Sequence, residues 1–121
     1  MSTKTILVVE DDPTQQAHIR EVLAKVDANV VVVDNGKEGF EKAVELKPDL
    51  IFMDIVMPEV DGFAACRQIT RHEETKDIPV VIVSGKHQEA DRVWAKLQGA
   101  TAVVGKPYQD EELLEHVRGL G

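Results

Sequence analysis

Asp49–Phe63, DLIFMDIVMPEVDGF, is the stretch that decides how this chain folds. Within it, Leu50–Met53 (LIFM) is apolar at every position, so neither face of a strand built from it can meet water. A strand buried on both faces needs a helical layer on each side, and a parallel sheet supplies that arrangement. The run ends at Asp54, a carboxylate placed where the strand leaves the interior. Pro58 and Asp61-Gly62 then make a turn that leads into a helix carrying Phe63, Ala64, Cys66, Arg67 and Ile69.

The same alternation extends to both ends of the chain. Thr5–Val9 (TILVV), Asn29–Asp34 (NVVVVD), Pro79–Val83 (PVVIV) and Ala102–Val104 read as further strands, rich in β-branched residues. A first helix is expected from Asp12-Pro13 through Val26, with Asp12 as N-cap, Pro13 at the first helical position and Gln15 placed for a capping box. Its apolar stripe is Ala17, Ile19, Val22, Leu23 and Val26. A second helix follows Asn35-Gly36, bears Phe40, Ala43, Val44 and Leu46, and is stopped by Lys47-Pro48. His72–Asp77 reads as a solvated charged loop. The 88–98 helix should turn Ala90, Val93, Trp94 and Leu97 inward and close at Gly99; a last helix spans about Asp110 to Arg118. Strand and helix in strict alternation predict an α/β fold, a doubly wound flavodoxin-like (βα)5 arrangement with a five-stranded parallel sheet in the order 2-1-3-4-5.

A length of 121 residues suits one domain, expected over residues 1–121 with no output domain after the last helix. The 43% apolar content is too high for a disordered chain. No apolar run approaches the roughly 20 residues that span a bilayer. Met1–Lys4 leaves no room for a signal peptide, and Cys66 alone cannot form an internal disulfide, so a cytoplasmic location is expected. A net charge of −8 argues against non-specific binding to nucleic acid or anionic membranes.

In a sheet of this order, ligands sit beyond the carboxyl ends of the strands. Those ends deliver Glu10-Asp11-Asp12, Asp54, Ser84 and Lys106 to one edge. Facing carboxylates repel: two unit charges about 4 Å apart cost roughly 4 kcal/mol at an effective dielectric near 20. Lys106 offsets one charge, and a hard divalent cation held by oxygen, Mg²⁺, is the natural second. A carboxylate beside Mg²⁺ can attack phosphorus in line while the metal, an ammonium and a hydroxyl hold the equatorial oxygens. Asp54 is then the nucleophile, with Lys106 balancing charge and Ser84 donating a hydrogen bond. With no evident general base for an external substrate, such a site modifies itself.

Together ILVVEDD (Ile6–Asp12), DLIFMDIVMPEVDGF, PVVIVSG (Pro79–Gly85) and GKP (Gly105–Pro107) resemble the receiver domains of two-component response regulators, over nearly the whole chain. The resemblance implies that Asp11 holds the metal directly and Glu10 through water. It implies that Asp54 accepts the phosphoryl group, and that the backbone carbonyl of Val56 completes the protein ligands to Mg²⁺. Ser84 matches the switch hydroxyl, and Lys106 the lysine whose bond to proline is usually cis. A histidine kinase or phosphotransfer protein is the implied phosphodonor. With no output domain expected after the last helix, such a receiver would act by binding another protein or as a phosphate sink. HQEADRVWAKLQGA (His87–Ala100) is further similar to single-domain receivers of chemotaxis-like systems that control type IV pilus twitching motility.

One position departs from the family: three residues before Lys106 it carries a Tyr or Phe that rotates with the switch hydroxyl, and here Val103 has no ring. An apolar Val56 cannot orient an attacking water, so a long-lived phosphoryl aspartate is expected. His18, His72, His87 and His116 show no ligand spacing and read as solvated, and Cys66 as packing. Trp94 has two readings: core packing, or a partner anchor shared with Tyr108 on the face formed by the fourth helix, fifth strand and fifth helix, where a downstream protein target would bind. A pseudo-receiver that needs no phosphorylation is the alternative; the intact Glu10, Asp11, Asp54, Ser84 and Lys106 speak against it. An aspartate-nucleophile phosphatase would want an acid where Val56 stands, and a flavin site would be repelled by Glu10-Asp11-Asp12.

Overall fold

The computed structural model describes residues 3–55, 57 and 61–120. Strands β1 (Lys4–Val9), β2 (Ala28–Val33), β3 (Leu50–Met53), β4 (Val80–Ser84) and β5 (Ala102–Gly105) alternate with helices α1 (Pro13–Leu23), α2 (Gly36–Leu46), α3 (Gly62–Arg71), α4 (Glu89–Leu97) and α5 (Asp110–Arg118). The strands form one sheet in the order β2-β1-β3-β4-β5, and every pairing is parallel. Fold class and strand order agree with the sequence reading.

Two apolar layers explain why the strands carry hydrophobic residues on both parities. Ile6, Val8, Leu50, Phe52, Val81 and Val83 face one way and pack against Ile19, Val22 and Leu23 of α1 and Leu113, Leu114 and Val117 of α5. Their neighbours Leu7, Val9, Ile51, Met53, Val80 and Ile82 face the other way, against Ala43 of α2, Ala65, Cys66 and Ile69 of α3 and Ala95 of α4. Burial pushes the Cys66 thiol up to about 12, and its sulfur lies 3.5 Å from the Gln98 carbonyl, so it serves as packing.

The helix starts are capped as their sequences suggest. Asp12, Asn35 and Asp61 accept hydrogen bonds from the backbone N–H groups of Thr14, Glu38 and Ala64. Gln15 adds no capping-box bond to α1, whose last residue is Leu23 rather than Val26. Lys47, ahead of Pro48, takes a left-handed conformation (φ 47°) that ends α2, and Gly99 (φ 93°) does the same past α4. The segment after α3 is less solvated than expected: Thr75 is buried and its hydroxyl donates to the Ile69 carbonyl at 2.6 Å.

The largest correction concerns α4. Its stripe Ala90, Val93, Trp94 and Leu97 faces outward, with Val93 55%, Trp94 50% and Leu97 63% exposed. The inward positions are Ala95 and Gln98 instead. Helical spacing defines a stripe but not its direction, and here the small Ala95 allows close packing on the sheet.

Candidate functional site

Each site residue stands at or just past the end of a strand. The Glu10 N–H donates to the Val33 carbonyl and the Asp54 N–H to the Val9 carbonyl, both at 3.0 Å, so the sheet ladder itself sets the two carboxylates side by side. The Lys106 N–H likewise donates to the Ser84 carbonyl at 3.0 Å. Carboxylate oxygens of Glu10, Asp11 and Asp54 all lie within 4.8 Å of one another. Glu10 and Asp54 are buried, while Asp11 is exposed.

The Lys106 ammonium bridges two of these acids. Its Nζ donates to Glu10 Oε1 at 2.8 Å and lies 3.6 Å from Asp54 Oδ2. Burial raises the Glu10 carboxyl above its ordinary range, opposed by hydrogen bonds from Lys106 and from the Asp12 N–H. Asp54 Oδ1 accepts from the Ile55 N–H at 2.7 Å, which fixes the carboxylate plane. Ser84 is buried, and its Oγ accepts from the Lys86 N–H at 3.1 Å, leaving the hydroxyl proton free to donate elsewhere. The Lys106-Pro107 bond is cis. Val56 lies outside the described residues, so its expected ligand role has no structural counterpart here.

Three carboxylates around one point, with a single ammonium beside them, form an oxygen-only donor set that suits a hard cation such as Mg²⁺.

Two residues that the sequence reading placed elsewhere lie against the site. Gly62, taken as part of a turn, is the first residue of α3 and sits against the exit of β3. A Cβ there would meet the Asp54 backbone oxygen at 2.0 Å and Ile55 Cα at 2.7 Å. Tyr108 is half-buried beside the site, its phenol pushed up to about 12 by burial and the nearby Asp110 and Glu10. It packs on His18 of α1 at a ring separation of 5.4 Å, whereas Trp94 meets Phe63 of α3 edge-on at 6.4 Å. The two aromatics therefore pack on different neighbours. Nor are the histidines uniformly solvated: His72 lies edge-on to Phe40, and His87 covers Gly105.

A sheet whose strand ends gather these acids, a hydroxyl and a lysine is the signature of a response regulator receiver domain. The family model for that domain matches residues 6–118, and the chain belongs to this family. It is 44% identical to Protein PilH of Pseudomonas aeruginosa, over 95% of each chain. It superposes with a TM-score of 0.90 and 27% identity on the receiver domain of a sensor histidine kinase from the same organism, covering 98% of each chain; that structure has a magnesium ion coordinated in its active-site cleft. A response regulator from Chloroflexus aurantiacus has the same fold, with a TM-score of 0.92 at 24% identity and 98% of each chain covered.

Proposed function

We propose that this receiver accepts a phosphoryl group on Asp54 from a histidine kinase or phosphotransfer protein and passes the signal on by protein contact. What most supports the reading is the Lys106 ammonium, 2.8 Å from Glu10 and 3.6 Å from Asp54, within a cluster of three acids. Glu10, Asp11 and Asp54 would hold Mg²⁺, which when bound neutralises charge on the transferring group. A carboxylate oxygen of Asp54 forms the bond to phosphorus as the bond to the donor's imidazole nitrogen breaks, its electron pair leaving with the nitrogen. Lys106 balances the charge gained on the phosphoryl oxygens, and the Ser84 hydroxyl donates to one of them. The chain thus acts on itself rather than on an external substrate.

Movement of Ser84 must reach a partner without an aromatic ring at Val103. Arg92 supplies a physical link: its Nε donates to the His87 carbonyl at 2.8 Å and its Nη1 to the Val103 carbonyl at 3.0 Å. The loop after Ser84 is thereby tied to β5, and the output surface in this reading is the α4–β5–α5 face. The similarity of His87–Ala100 to twitching-motility receivers, together with the match to PilH, favours a chemotaxis-like pathway for type IV pili in the cytoplasm.

Intact mass after incubation with a small phosphodonor and Mg²⁺ tests the chemistry. One phosphoryl group should add to the wild type, and none to Asp54→Asn or to wild type in EDTA. Metal-independent labelling, or labelling of the Asn variant, would refute the assignment.

A further inference from the structure

Among the described residues, four large apolar side chains are exposed, and three of them, Val93, Trp94 and Leu97, lie on α4. With Ala90 they form a continuous i, i+3, i+4, i+7 stripe, the pattern of a helix face that expects a covering layer. The stripe leans away from β5 and toward α3. Arg92, on the opposite flank of α4, bonds the Val103 carbonyl, whereas Trp94 stands edge-on to Phe63. Between the two helices runs a shallow groove of about 150 Å³, floored by Phe63, Ala64, Trp94 and Gln98 and edged by Asp61 and Arg67.

Charge selects what can lie there. Helix α3 carries Arg67 at the groove and Arg71 one turn further on, against one acid at the groove, Asp61, which caps α3 by accepting from the Ala64 N–H at 2.9 Å, in a chain whose net charge is −8. On α4, Asp91 is likewise engaged in capping, accepting from the Gln88 N–H at 3.2 Å. A second copy docking symmetrically would set Arg67 and Arg71 against their own counterparts and be repelled. An acidic segment with its own apolar stripe would satisfy both the hydrophobic and the electrostatic demand.

We propose that the α3–α4 surface is a docking site for an acidic amphipathic helix of a partner protein, held by Trp94 and Leu97 and rimmed by Arg67 and Arg71. The surface is separate from the α4–β5–α5 face, and the proposal stands whether or not Asp54 is phosphorylated.

Trp94 is the chain's single tryptophan and so reports on its own surface. The probe is a synthetic helix with leucines at i, i+3, i+4 and i+7 flanked by glutamates, beside a twin with lysine at every glutamate. The glutamate peptide should shift Trp94 emission to the blue with saturation, and the lysine twin should leave it unchanged. Leu97→Asp should weaken binding about tenfold or more with an unchanged melting temperature. Arg67→Glu with Arg71→Glu should weaken it as well, and Arg118→Glu on α5 should not. A flat titration at millimolar peptide, equal binding of the twin, or indifference to Leu97→Asp would overturn the proposal. So would a Trp94 signal that follows protein concentration alone, which indicates self-association, or one that follows phosphatidylserine vesicles.

Discussion

The carboxyl edge of the sheet and the outer face of α4 both hold side chains where they are least comfortable. At the edge, two acids are buried against each other and a third stands within 4.8 Å. On α4, valine, tryptophan and leucine stand at least half exposed to water. The discomforts differ in kind. The first is electrostatic, is balanced in part by Lys106 from inside the fold, and leaves an oxygen-only set that suits a small hard cation. The second is hydrophobic and finds no covering group among the described residues, so only another surface can relieve it.

The sharpest way to break this comparison is at Gly62, where the edge is sterically tight. Gly62→Ala puts a methyl group 2.0 Å from the Asp54 backbone oxygen. It should cost about 3 kcal/mol in urea denaturation and abolish phosphoryl uptake. Gly85→Ala, where a Cβ would meet nothing within 4 Å, should cost little. A Gly62→Ala protein as stable as the wild type would show that the edge is slack.

Asp54→Asn tests the electrostatic half. It removes one negative charge and keeps an oxygen to accept from the Ile55 N–H, so in low salt without magnesium it should gain about 1 kcal/mol. Millimolar magnesium should raise the melting temperature of the wild type more than that of the variant. A variant less stable than wild type without metal would mean that the acids are not in conflict.

Leu97→Ser tests the hydrophobic half and has the smallest expected effect. A side chain 63% exposed contributes little to folding, so its loss should change stability by no more than about 0.5 kcal/mol. A loss of 2 kcal/mol or more would place Leu97 in the core.

Much of the edge was legible in the sequence, because parallel strands that are apolar on both parities must lie inside the sheet. The polar residues that end them, Asp54 after LIFM and Ser84 after PVVIV, then have only one place to emerge. Gly62 was not legible as a site residue, since a glycine beside an aspartate reads as a turn, and the nearness of the Asp54 carbonyl is a long-range matter. Trp94 and Tyr108 both read as aromatics near one surface, yet each packs on a different neighbour, Phe63 and His18.

The two-sided apolar strands and the residues at their ends determined by themselves the fold class and the cast of the acidic site, and the strand order is the common one for five such strands. Tertiary structure alone decided which way α4 turns, which aromatics meet, and that the Lys106 ammonium lies between Glu10 and Asp54. The division has a physical reason. A strand's environment follows from its own alternation of side chains. A helix's rotation about its axis depends instead on which of its residues is small enough to touch the sheet, and on α4 that residue is Ala95.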